Sequence, residues 1–178
     1  FENYKIPVFS CQLAQDCELH KKKLIGSKFL EIKLDGVRAV TVIYPSGNID
    51  IFSRNGKELN NFNHLKNEIN KFIDLSSLEK AFVLDGEIVS KNFKELMKQL
   101  HRKGSSQNED ASLFLFDILP LQDFQKGIYK SNLKERIISL KKFYNENFKN
   151  CEKINLIDSK LVNLDTISGK EEFRNFNE

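Results

Sequence analysis

An α+β domain is the fold class that this sequence predicts, and three observations predict it. Short runs rich in Val, Ile and Phe recur at 29–33, 39–44, 49–53, 81–90 and 112–119. Apolar residues at helical spacing fall between and after these runs, at 62–73, 93–100 and 137–148. Hairpin-like links join neighbouring runs where a βαβ repeat would place crossover helices, which points to antiparallel sheets flanked by helices.

The elements follow in order along the chain. Residues 29–33 and 39–44 read as strands, Pro45-Ser46-Gly47-Asn48 as the turn after them, and 49–53 as the next strand. Phe62, Leu65, Ile69, Phe72 and Ile73 mark one buried helix face, and Phe93, Leu96, Met97 and Leu100 a second. The β-rich stretch 81–90 is interrupted by Asp85-Gly86-Glu87, and acidic residues inside a strand call for a reason. Phe114 and Phe116 share one face of the strand at 112–119. Asn132 and Glu135 stand at capping-box spacing before Ile137, Leu140, Tyr144 and Phe148, and Ser168 with Glu171 repeats that spacing near the end.

Composition bounds what such a chain does. With 178 residues, 40% hydrophobic and 11% aromatic, it is long enough for one domain with a true core. No apolar run approaches the roughly 20 residues of a membrane span, so a soluble, cytoplasmic protein is expected. A net charge of +3 is compatible with a polyanionic partner but is too small to demonstrate one. Cys11, Cys17 and Cys151 lack metal-ligand spacing and are expected to be free thiols, and His20, His64 and His101 to be surface residues. The chain begins at Phe1, and its opening residues have neither the basic nor the apolar segment of a signal peptide, so it reads as a piece of something longer.

The segment with most chemistry is Lys33-Leu34-Asp35-Gly36-Val37-Arg38, which gathers an amine nucleophile, a carboxylate, a flexible glycine and a guanidinium. A lysine attacks only when deprotonated, and burial or neighbouring positive charge lowers its pKa from about 10.4 toward neutrality. A guanidinium offers phosphate a planar, bidentate fork. If 29–33 is a strand, Glu31 and Lys33 share a face about 7 Å apart. Taken alone, the hexapeptide is more often an exposed turn than a site. Three further segments accompany it in order: Phe52-Ser53-Arg54-Asn55-Gly56-Lys57-Glu58, Leu84-Asp85-Gly86-Glu87 and Leu115-Phe116-Asp117-Ile118-Leu119.

This ordered set resembles motif I, the Ser-Arg-Asn-Gly element, motif III and motif IIIa of the covalent nucleotidyltransferases, and within them the ATP-dependent DNA ligases. RNA ligases and mRNA capping guanylyltransferases share the lysine chemistry and are the nearest alternatives; a non-catalytic nucleotide- or DNA-binding fragment is the alternative of another class. The resemblance implies that 1–178 is part of a nucleotidyltransferase (adenylation) domain, that ATP supplies AMP to Lys33, that Mg²⁺ assists, and that nicked duplex DNA is the partner of a monomeric enzyme in a bacterial or phage-infected cell. It also implies roles in replication, repair or recombination without choosing among them.

Residue by residue, it implies that Lys33 attacks the α-phosphate, Glu31 reads the adenine edge, Arg38 and Glu87 contact the ribose, Phe116 stacks on adenine and Arg54 holds a phosphate. No metal ligand is assigned. Each role has a plainer competitor: Arg54 and Asn55 as a solvated turn, Glu87 as a lysine's partner, Phe116 as core or displaced in its role by Phe114, Asp35 and Asp85 as organisers of their own loops. Lys21-Lys22-Lys23, His101-Arg102-Lys103 and Lys141-Lys142 read more readily as solvated faces than as DNA contacts. The Glu-Gly of motif IV and the Lys-x-Lys of motif V do not occur after Phe116, and an OB-fold domain is absent, so the segment alone is expected to ligate poorly or not at all.

Overall fold

The computed structural model describes residues 11, 13, 16, 24–101 and 106–176. They form two compact units, Leu34–Leu156 and a second built from Cys11–Lys33 with Ile157–Glu178.

The larger unit is built on a five-stranded sheet. Its strands are β2 (Val37–Ile43), β3 (Ile49–Phe52), β4 (Phe82–Val89), β5 (Ser112–Pro120) and β6 (Ile154–Leu156), in the order β3-β2-β4-β5-β6. All pairs are antiparallel except β5 with β6, which makes the sheet mixed at this edge. The reason is the connection: α3 (Leu121–Lys126) and α4 (Leu133–Asn147) carry the chain from β5 back to its starting end, which a parallel neighbour requires.

Alternation along these strands sends Ala39, Ile43, Ile51, Leu84, Ile88, Leu113 and Leu115 to one face. There they meet Leu65 and Ile69 of α1 (Asn63–Phe72), Leu96 of α2 (Phe93–His101) and Leu140 of α4, all buried. The aromatic edge of this core is Phe82, Phe143 and Phe148, in edge-to-face pairs with centroids 5.4 and 5.8 Å apart. Both helices read from apolar spacing thus cover the sheet. His64 departs from expectation: it is half-buried, and its Nε2 lies 2.8 Å from the Ala111 carbonyl. Cys151 is a free thiol as expected, buried and 3.3 Å from Glu68. Cys17, His20 and Lys21-Lys22-Lys23 lie outside the described residues, as do Arg102 and Lys103.

A turn and a helix cap read from the sequence form as expected. Tyr44 N–H donates to the Asn48 carbonyl and Gly47 N–H to the Tyr44 carbonyl, both at 3.0 Å, with Gly47 at φ +87°. The capping box of α4 is complete, with Glu135 N–H on Asn132 Oδ1 and Asn132 N–H on Glu135 Oε2, each 3.0 Å.

In the smaller unit β1 (Ser27–Leu30) pairs antiparallel with β7 (Lys160–Asn163). Leu30, Val162 and Leu164 are buried there, with Phe173 and Phe176 of α5 (Ile167–Phe176) packed against them. β1 stops at Leu30, so Glu31 and Lys33 lie beyond the strand, and strand alternation does not set their directions. The cap of α5 is also corrected: Gly169 N–H donates to Thr166 Oγ1 at 3.0 Å, and Ser168 is already inside the helix. Among the described residues no helix is long and apolar enough to cross a membrane.

Gly86 sits where the register of β4 and β5 shifts, and a Cβ there would lie 2.4 Å from the Phe114 carbonyl oxygen. Backbone on both sides leaves that contact no escape. Gly86→Ala is therefore expected to destabilise by about 1–3 kcal/mol or more. A urea titration checks this as a lower midpoint with an unchanged slope.

Candidate active site

The irregular strand pair β4–β5 shapes the site. Asp85 is paired with Asp117 and Gly86 with Leu115, which leaves Phe116 as the extra residue of a β-bulge on β5. A bulge bends its strand and re-aims a side chain. Phe116 consequently meets Arg38 of β2, whose guanidinium carbon is 4.6 Å from the ring centroid. Leu113 and Leu115 face the core, while Phe114 and Phe116 are both half-buried, as their alternation predicts.

Arg38 is held by Asp85. Its Nε donates to Oδ1 and its Nη2 to Oδ2, each at 2.6 Å, the two parallel bonds of a guanidinium on a carboxylate. The side chains are 19% and 10% exposed, so the pair is largely withdrawn from water. Asp85 lies within β4 rather than in a loop, and besides the backbone N–H of the following Gly86 it binds Arg38, 47 residues away in sequence. Burial raises the Asp85 carboxyl above the ordinary aspartate range; the hydrogen bonds and charge of Arg38 oppose the rise, and the charge of Asp117 adds to it. Both oxygens accept, so the fork requires the ionised carboxylate.

Glu87 is the direct cross-strand partner of Arg38 on one side and of Phe114 on the other. Arg38, Asp85, Glu87 and Phe116 therefore come together on the sheet face opposite the helices. Gly36 completes the approach, since a Cβ at that position would lie 2.2 Å from the Ile88 carbonyl oxygen and 3.0 Å from Glu87 Cγ. Only glycine lets the segment before β2 run this close to β4.

Arg54 occupies a different position. Ser53 closes a tight turn, accepting Gly56 N–H at 3.0 Å through its carbonyl, accepting Lys57 N–H at 3.2 Å through its hydroxyl, and donating its N–H to the Lys57 carbonyl at 2.8 Å. Gly56 has φ +77°, the left-handed residue such a turn needs. Arg54 and Asn55 are exposed at the tip, two residues past Phe52, which pairs with Val40 of β2. In the smaller unit, Lys33 and Glu31 are exposed, and the Glu31 carboxylate accepts the Ser159 hydroxyl. Sequence reasoning missed Ser159 and the Arg38–Asp85 pairing. The available signal for the latter was alternation, which places Asp85 and Glu87 on one face of β4.

Residues 11–175 match the family model described as ATP dependent DNA ligase domain. The chain belongs to the ATP-dependent DNA ligase family. Among solved structures it is similar to one named Pmar-Lig_PreS3, with 43% identity and a TM-score of 0.89 over 96% of this chain. The chain spans 39% of that protein's length. The ATP-dependent DNA ligase of bacteriophage T7 in complex with ATP is 21% identical with TM-score 0.56, over 96% of this chain and 59% of its own. A mutant RNA ligase of Naegleria gruberi with AMP and Mn is 18% identical with TM-score 0.58, over 93% and 47%. These last two share the fold. No curated protein sequence matches.

Removing one partner of a withdrawn ion pair leaves the other charge uncompensated. Asp85→Ala in this ligase domain is expected to cost up to about 3–5 kcal/mol, the lower part applying because water still reaches both side chains. Exchanging Arg38 and Asp85 together for Met and Leu should restore much of the loss. Thermal unfolding of the two variants checks the pattern.

Proposed function

We propose that this chain supplies the nucleophile and nucleotide-holding residues of an ATP-dependent DNA ligase that seals nicks in duplex DNA through a covalent lysyl-AMP. Family membership supports ligase chemistry for the domain. The observation that carries the finer reading is the Arg38 fork, fixed on Asp85 and lying against Phe116, with Glu87 opposite it on β4. An aromatic ring beside a fixed guanidinium and a carboxylate suits a nucleoside: the ring for the base, the polar pair for the ribose hydroxyls.

The deprotonated Nζ of Lys33 attacks the α-phosphorus of ATP. A P–N bond forms, the P–O bond to the β-phosphate breaks, pyrophosphate leaves, and the amine gives up a proton. Glu31 reads the adenine edge, Phe116 stacks on the base, Arg38 and Glu87 hold the ribose, and Arg54 takes a phosphate of AMP or of the nick. The 5′-phosphate of the nick then displaces Lys33 to give DNA-adenylate, and the 3′-hydroxyl displaces AMP. The Ser53-Arg54-Asn55-Gly56 and Phe116-Asp117-Ile118-Leu119 elements support DNA over RNA as the substrate.

Among the described residues no group of three His, Cys, Asp or Glu side chains is arranged to hold a metal ion. These residues do not by themselves form a Mg²⁺ site. Segment 1–178 is, in this reading, part of the adenylation domain, with the OB-fold elsewhere in a monomeric parent.

Incubation of the full-length protein with MgATP should add one adenylate by intact mass, located on Lys33, and Lys33→Ala should abolish the gain. GTP in place of ATP should label little, separating the capping reading, and nicked DNA should be sealed in preference to nicked RNA. Absence of any adenylate on Lys33 overturns the proposal.

A further inference from the structure

The charges behind Arg38 extend beyond Asp85 in an alternating series. Arg38 of β2 binds Asp85 of β4, and Asp85 is the register partner of Asp117 of β5. Arg136 of α4 in turn reaches Asp117, with Nε 2.9 Å from Oδ1 and 3.1 Å from Oδ2. The far end of Arg136 is anchored, since Nη1 donates to the Ser131 carbonyl at 2.9 Å. Ile118 N–H also donates to Asp117 Oδ1 at 2.9 Å, which fixes that carboxylate toward the helix. Glu87, on Asp85's own strand and the same face, lies across from Arg38. Arg38 and Asp117 are the charges that act on the Asp85 carboxyl, Arg38 favouring its ionised form and Asp117 opposing it.

Two carboxylates opposite one another on adjacent strands repel. The bulge at Phe116 brings Asp85 and Asp117 into that relation, and each has a guanidinium of its own. We propose that Asp117 and Arg136 are positioning residues for the nucleotide site: Arg136 neutralises Asp117, and Asp85 thereby keeps the charged form that aims Arg38 along the Phe116 ring. The inference rests on the reading of Arg38 and Phe116 as the nucleoside platform, and it gives the Asp117–Arg136 pair a role beyond tying α4 to β5.

The sign of the effect follows from the charges. Asp85 loses its fork when it is protonated, so nucleotide binding falls as pH drops through its raised value. Stripping Asp117 of Arg136 adds uncompensated negative charge beside Asp85 and moves that loss to higher pH. Removing the Asp117 charge moves it to lower pH. Removing both leaves Asp85 close to its original surroundings.

The test is AMP affinity against pH, by calorimetry, for the full-length protein and for Arg136→Gln, Asp117→Asn, the double variant and Arg136→Lys. At neutral pH Arg136→Gln should bind AMP about five- to tenfold more weakly, the size expected for coupling within one charge network. Its acid midpoint should rise, that of Asp117→Asn should fall, and the double variant should return toward the parent. Arg136→Lys keeps the charge and should keep the midpoint. Asp117→Asn and Arg136→Lys carry the comparison if Arg136→Gln does not fold. Unmoved midpoints, or a double variant as weak as Arg136→Gln, overturn the inference while leaving the nucleotide site standing. If the parent binds no AMP, or if Arg38→Ala binds it unchanged, the platform reading falls with it.

Discussion

A carboxylate withdrawn from water in the middle of a β-sheet constrains the larger unit of this protein. Asp85 is tolerated there because Arg38 meets both of its oxygens at 2.6 Å. Such a pair adds little to stability, since taking two charges out of water offsets most of their attraction. What it provides is direction: a long, flexible side chain is held in one place, with its guanidinium over the Phe116 ring. The surrounding irregularities follow from that requirement. The bulge on β5 leaves Phe116 without a register partner, Gly86 allows β5 to approach at the register shift, and Gly36 allows the segment before β2 to run against Glu87 and Ile88.

The opposite sheet face has the other task. Its aliphatic residues are buried under three helices and form the rigid support from which the polar face projects. A functional constellation carried on paired strands is held more tightly than one on loops, and Arg38, Asp85, Glu87 and Phe116 all lie on strands. Arg54, at the tip of a tight turn, and Lys33, past the end of β1, are exposed instead. That division suits the proposed reaction, in which the base and ribose need fixed partners while the groups that act on phosphates must follow a changing substrate.

Much of this was legible in the sequence, for identifiable reasons. β-branched and aromatic runs marked β2 to β5, helical spacing marked α1 and α2, and the Asn132–Glu135 spacing marked the start of α4 because both halves of that capping box form. The family was legible because four short motifs stand in a fixed order, and the match over 11–175 agrees. β6 and β7 were missed because three and four residues are too few to show a period. The cap of α5 was misplaced because Ser168 and Glu171 imitate a full capping box, whereas Thr166 uses its hydroxyl alone, with Gly169 at the position where a box would carry Glu. For Asp85 a local Asp-Gly rule finds the bond to the following backbone and misses Arg38, because that partner is set by register between strands far apart in the chain. Local patterns do not encode that pairing. The parallel edge at β6 escaped notice for the same reason.

On the proposed reading, Arg38, oriented by Asp85, and Phe116 together hold the nucleoside. A crystal structure of the full-length protein soaked with ATP tests it most directly. The account predicts adenine against the Phe116 ring, ribose hydroxyls within hydrogen-bond distance of Arg38 and Glu87, and the Arg38–Asp85 fork intact beneath them. Nucleotide density elsewhere on the protein, or an Arg38 that leaves Asp85 when the nucleotide binds, would contradict it.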